Sequence, residues 1–207
     1  MNDIQAYQEY PSLRNWYNKL WLSEKLGYKC GPASISPKES GWYIVRPIMN
    51  LSGMGVGAKK VWIDKGDHTK VPPGHFWCEW FDGNQYSVTY GWRGYWHPES
   101  CWQGIKEEDN LSRFERWVKT DFYPELSKIY NELHLVGKIN IEFIEDKTIE
   151  VHLRTSPDPE YNELIPVWKD QEQIVDKYTK LGYDYITSYD DAEGFLDIPR
   201  VGFLVKN

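Results

Sequence analysis

The chain has 207 residues, 41% of them hydrophobic and 27% charged, with a formal net charge of −7. That length holds one core or two small lobes, and no apolar run nears the ~20 residues of a membrane-spanning helix. The negative charge argues against a broad nucleic-acid surface, which needs clustered Lys and Arg.

Three scattered cysteines, Cys30, Cys78 and Cys101, make no disulfide framework, and MNDIQAYQEY lacks the basic and apolar regions of a secretory signal. A reducing, cytoplasmic setting is expected. His97 and Cys101 stand four apart without a second ligand pair, so no zinc site is expected. Aromatic residues make up 16% of the chain, with 11 Trp concentrated between Trp62 and Trp117. Such side chains form cores, stack on planar ligands or bind partners.

In chain order, Trp16, Leu20 and Leu26 give residues 14–26 a helical apolar spacing, ended by Gly27. Residues 42–46 (WYIVR) read as a strand stopped by Pro47. The run LSGMGVGA follows, with Gly53, Gly55 and Gly57 at alternate positions, and then a second strand at 60–63. Strand, glycine-rich loop and strand can cover phosphate, because glycines let backbone N–H groups approach closely. The pattern lacks the Lys-Ser/Thr of a P-loop and the following helix of a dinucleotide fold. Residues 75–81 (HFWCEWF) read as a strand, Asp82-Gly83 as a turn and 84–90 as its hairpin partner. Glu79, inside an aromatic strand, needs a partner if buried.

Residues 91–109 read as irregular, with Arg93 as their one arginine. A helix is expected from Asn110 or Ser112 to about Leu135, with a break near Pro124. The stretch INIEFIEDKTIEVHLR, 139–154, alternates with period two on both sides of a tight turn. Glu142, Glu150, His152 and Arg154 would then share a polar face opposite Ile141, Phe143, Val151 and Leu153. Alternating charge of this kind is ordinarily a solvent face, and paired acids repel unless a cation lies between them. Residues 156–166 read as loop, 170–181 as a short helix, and 183–188 and 201–205 as strands.

Four features therefore stand in order: a glycine-rich strand–loop–strand, an acidic aromatic strand with a glycine turn, a helix and an acidic hairpin. The order resembles the ATP-grasp superfamily. YIVRPIMNLSGMGVGAKKV is similar to its Lys-Pro strand and flexible glycine loop. FWCEWFDGNQYSV is similar to its Glu-x-x-x-Gly-x-Glu-hydrophobic-Ser-Val segment. INIEFIEDKTIEVHLR is similar to its metal-binding strands, and NKLWLSEKLGY to the helix before the loop.

The resemblance implies an α+β fold of two small antiparallel-sheet lobes with flanking helices, gripping a nucleotide between them. It divides the chain into a helical opening (1–40), a glycine-loop and adenine-side lobe (41–90), a helix and metal-hairpin lobe (91–165) and a C-terminal extension (166–207). It also implies an ATP-dependent carboxylate–amine ligase working through an acyl phosphate. Lys19 and Arg46 would hold phosphates, and Gly53, Met54 and Gly55 would cover them. Glu79, Trp80 and Phe81 would border adenine, and Gln85 the ribose. Glu142, Glu150 and His152 would bind Mg²⁺, or Mn²⁺ given the imidazole. Arg154 or Arg93 would face the developing oxyanion, and His152 could accept the amine's proton.

The chain departs from the family pattern in four places: Arg46 for Lys, Gln85 for Glu, His152 for Asn, and about 40 residues before the glycine loop where a whole α/β domain is usual. A second chain or homo-oligomer could complete the substrate site. The same clamp would serve a small-molecule kinase, and a nucleotide-binding interaction protein without turnover would share the motifs. No nucleic acid or membrane partner is expected.

Overall fold

The computed structural model describes residues 1–106, 110–188 and 196–206. A helix α1 (Asp3–Glu9), a 3₁₀ segment (Pro11–Tyr17) and a helix α2 (Lys19–Lys25) lead into two antiparallel sheets. The smaller sheet contains β1 (Cys30–Pro32), β2 (Gly41–Pro47), β3 (Lys59–Ile63) and β4 (His75–Glu79), in the order β1-β4-β2-β3. The larger contains β5 (Gln85–Trp92), β6 (Trp96–Lys106), β7 (Phe114–Lys119), β8 (Lys138–Ile144), β9 (Lys147–His152), β10 (Glu163–Trp168), β11 (Asp184–Thr187) and β12 (Arg200–Lys206). Its order is β11-β12-β10-β7-β6-β5-β8-β9. A 3₁₀ segment (Lys128–Val136) precedes β8, and α3 (Ile174–Thr179) precedes β11. The expected α+β architecture of two antiparallel sheets with flanking helices is present.

Side-chain alternation decides which face of the larger sheet is dry. Ile139, Ile141 and Phe143 of β8, Val88 and Tyr90 of β5, and Val151 of β9 pack with Trp16, Tyr17 and Leu22 of the N-terminal helices and Leu133 of the second 3₁₀ segment. The other face carries Gln85, Ser87, Asn140, Glu142 and Glu150, and it looks onto the smaller sheet across a cleft. Period-two patterning therefore sends one side of the 139–154 hairpin to the core and the other to the cleft.

Four sequence expectations are corrected. Residues 75–81 and 84–90 are not hairpin partners: β4 pairs with β1 and β2, whereas β5 pairs with β6 and β8. Asp82-Gly83 thus belongs to the crossing between sheets. The span expected to be irregular contains β6, which closes a true hairpin with β5. The helix expected from residue 110 or 112 to 135 is replaced by β7, a connecting stretch and the 3₁₀ segment Lys128–Val136. Phe114 and Trp117 have helical spacing but lie on one side of a strand, because the register against β6 shifts between Ile105 and Lys106. Part of the stretch read as loop at 156–166 is β10.

Helix α1 went unread in the sequence. It is set by a capping box in which Asn2 accepts from the Gln5 N–H at 2.9 Å, while the Gln5 side chain accepts from the Asn2 N–H at 2.8 Å.

Candidate active site

The cleft is built from both sheets and the crossing between them. From the smaller sheet come Arg46 at the end of β2 and the glycine loop joining β2 to β3. Gly53, Met54 and Gly55 all have positive φ, at 69°, 55° and 62°. That conformation is natural for glycine and strained for Met54. The glycine loop reaches the larger sheet, since a Cβ on Gly55 would lie 3.4 Å from the Leu111 carbonyl oxygen.

The crossing supplies Glu79, Trp80 and Phe81. Glu79 has the partner its position demanded: its carboxylate accepts the Lys29 backbone N–H at 2.8 Å. The Trp80 indole donates to Asp82 at 2.6 Å, and Phe81 meets Tyr28 edge-on at 4.9 Å between centroids. Arg46 ties the sheets together, with Nη2 donating to the Ile149 carbonyl of β9 at 3.1 Å.

On the larger sheet, Glu142 and Glu150 are direct cross-strand partners, as are Asn140 and His152. Gln85 Nε2 donates to Glu142 at 3.0 Å. Lys19 Nζ lies 2.8 Å from Glu150 Oε1, and the two side chains are only 6% and 12% exposed. Burial alone would raise the Glu150 pKa, but Lys19, His152 and Arg46 hold it below the usual carboxylate value.

His152 sits between two acids. Its Nδ1 is 2.9 Å from Asp3 and its Nε2 is 3.7 Å from Glu142. Burial opposes a charged imidazole, yet Asp3, aided by the nearby Glu142 carboxylate, pushes the pKa up to about 9. Arg154 also pairs with Asp3 and donates to the Thr155 carbonyl at 3.0 Å. Burial of Asp3 works against its charge, but His152 and Arg154 keep its carboxyl well below the usual range.

Of the predicted site residues, Lys19, Arg46, Gly53, Met54, Gly55, Glu79, Trp80, Phe81, Gln85, Glu142, Glu150, His152 and Arg154 all line one cleft. Arg93 does not. It is exposed in the β5–β6 turn, at the far end of β5 from Gln85 and roughly 25 Å along the strand. His152 lies in the cleft with Nδ1 against Asp3 and Nε2 toward Glu142, and a neutral ring donating from Nδ1 to Asp3 would leave Nε2 free for a metal. Sequence reading missed Asp3, Lys106, Trp168 and Arg200, which line the same cleft. The Asn2–Gln5 capping pattern could have found α1, but nothing local announces a contact between Asp3 and His152.

Among the described residues no group of three His, Cys, Asp or Glu side chains forms a metal centre. Mg²⁺ is usually held by one or two carboxylates together with substrate phosphates, and the facing pair Glu142 and Glu150 fits that smaller demand.

No family model matches the sequence, and neither does any curated protein. Solved structures do match. N5-carboxyaminoimidazole synthetase from Staphylococcus aureus, solved with ADP, aligns with 96% of this chain and 69% of its own, at 13% identity and a TM-score of 0.58. Carboxyaminoimidazole ribonucleotide synthase from Aspergillus clavatus, solved with ATP, aligns with 98% of this chain and 73% of its own, at 11% identity and a TM-score of 0.55.

The chain has the ATP-grasp fold. L-amino acid ligase from Bacillus licheniformis is a looser likeness, with a TM-score of 0.45 at 13% identity over 69% of this chain. The chain spans 41% of that ligase's length.

Proposed function

We propose that the chain binds ATP in the cleft and uses it to join a carboxylate to an amine through an acyl phosphate. The observation carrying this reading is the convergence, in one cleft, of a positive-φ glycine loop, buried Lys19, half-buried Arg46 and a facing pair of carboxylates. Adenine would lie along the crossing at Glu79–Phe81 and the ribose near Gln85. Lys19 and Arg46 would face the phosphates beneath the backbone N–H groups of Gly53–Gly55. Glu142 and Glu150 would hold Mg²⁺, which supplies positive charge to the phosphate oxygens when bound. Two hard carboxylates suit Mg²⁺, and His152 Nε2, 3.7 Å from Glu142, would favour Mn²⁺ if it joined them.

The chemistry asks for position and charge rather than a protein nucleophile. A substrate carboxylate oxygen attacks the γ-phosphorus, and ADP leaves. The amine nitrogen then attacks the acyl carbon, and phosphate leaves as the C–N bond forms. The amine's proton would go to the departing phosphate, to solvent or to His152. Arg154, whose Nε has no partner among the described residues, is the cation available to the tetrahedral oxyanion.

ADP release measured with carboxylates, with and without a second amine, tests the reading. Release that requires both substrates is expected, and Glu142→Gln should abolish it. Glu150→Gln is a poorer probe, because it would strand buried Lys19. Phosphorylated product formed without an amine would make the chain a kinase. Binding of ATP without turnover on any substrate would make it a nucleotide-binding protein.

A further inference from the structure

The cleft continues past the proposed nucleotide site onto strands β6, β7, β10 and β12, where its chemistry changes from ionic to aromatic. Phe114 and Trp117 lie with ring centroids 4.3 Å apart, folded over Gly104. A Cβ on Gly104 would come within 2.6 Å of the Phe114 ring and 2.9 Å of Trp117. The missing side chain is thus what lets both rings lie down on the sheet as a floor. Trp168 of β10 borders this floor. It is 2% exposed, lines the cleft, and its Nε1 donor has no acceptor among the described residues. A buried indole N–H ordinarily has a partner.

On the other flank of Phe114 stands Lys106, its cross-strand partner. The ammonium lies 5.7 Å over the Phe114 ring and has no carboxylate partner among the described residues. Burial lowers its pKa, while Glu142 opposes the shift, and Lys106 lines the same cleft as Glu142. The tip of the glycine loop meets Leu111, just before β7, so the phosphate-covering loop also borders this end.

Resting on the ATP-ligase reading above, we propose that this aromatic floor is the site of the carboxylate co-substrate, and that it takes a small planar acid. The acid's carboxylate faces Lys106 and the glycine loop, and its ring lies on Phe114 and Trp117. A hydrogen-bond acceptor at its far edge meets Trp168 Nε1. Two strand spacings, roughly 9.6 Å, separate β6 from β10, the length of a single-ring acid with a polar group at the opposite end. A flexible aliphatic acid would leave both the floor and the indole donor unused.

Four probes test this by titration calorimetry in the presence of Mg²⁺ and a non-hydrolysable ATP analogue. They are 3-(4-hydroxyphenyl)propionate, 3-phenylpropionate, heptanoate and 3-(4-hydroxyphenyl)propionamide. The hydroxylated acid should bind tightest, and heptanoate and the amide at least tenfold more weakly. Trp168→Phe keeps a ring but removes the donor, so it should weaken the hydroxylated acid about fivefold and leave 3-phenylpropionate unchanged. Lys106→Met should weaken both aromatic acids about tenfold and leave the amide unchanged. Binding of the analogue with no preference among the probes, or losses uniform across them in both variants, would overturn the proposal while leaving the ATP reading standing. Selective probe binding without binding of the analogue would uphold the aromatic site and remove the ATP reading.

Discussion

Asp3 carries the counter-charge for two buried cations at once, His152 and Arg154. Its carboxylate also accepts a bond from the Tyr17 hydroxyl at 3.3 Å, and Tyr17 in turn accepts the Leu153 N–H at 3.3 Å. Removing that one charge strands two others in a dry place, which costs far more than the pair contributes when intact. Asp3→Asn should therefore lower stability by about 3–5 kcal/mol in urea unfolding. Adding His152→Asn to it should recover part of the loss, because the stranded imidazole is gone. Strict additivity of the two single changes would show that the residues do not act as a unit. This is also where sequence reading stopped short. The hairpin pattern correctly put Glu142, Glu150, His152 and Arg154 on one face, since period-two alternation is local information. What His152 does on that face is fixed by Asp3, and no local pattern carries that.

At the scale of elements, two devices shape the cleft. The glycine loop holds Met54 at a φ of 55°, between two glycines that adopt the same hand freely. Met54→Gly should stabilise the fold by about 0.5–1 kcal/mol, the left-handed penalty less the extra entropy of a glycine. A loss of stability would mean that the Met54 side chain makes a contact worth more than its backbone strain. The second device is the register shift in β7, which puts Phe114 and Trp117 on one side of a strand despite their spacing of three. Such spacing reads as helix, and the misreading follows directly from it. Gly104→Ala should lift both rings and destabilise by about 1–3 kcal/mol, as over-packing does. Tryptophan emission should shift with it. An unchanged emission spectrum would mean that the rings do not rest on Gly104.

For the whole molecule, the order of motifs along the chain carried the architecture. The glycine loop, the acidic aromatic strand and the acidic hairpin each have a sequence signature, and the resemblance of their order to the ATP-grasp family implied the two-sheet fold that is present. Strand pairing was less legible. Asp82-Gly83 looks like a hairpin turn by composition, whereas here it passes the chain from one sheet to the other, and only tertiary pairing distinguishes the two. The sheets are joined by that crossing and by Arg46 on the Ile149 carbonyl, and helix α2, which touches β1, β4 and β9, adds the Lys19–Glu150 pair. They should therefore melt as one unit. ATP with Mg²⁺ at a hundred times its Kd should add about 2.7 kcal/mol, or roughly 5–11 °C in Tm for a chain of this size. Two resolved transitions, with only one moved by nucleotide, would show that the sheets unfold separately. The contact between Asp3 and His152 has one more consequence. It spans 149 residues. At ribosomal rates of about 5–20 residues per second, the carboxylate leaves the ribosome on the order of ten seconds before its imidazole partner is made. Until then Asp3 lacks its imidazole partner, and helix α1 stands open to capture by a chaperone or a protease.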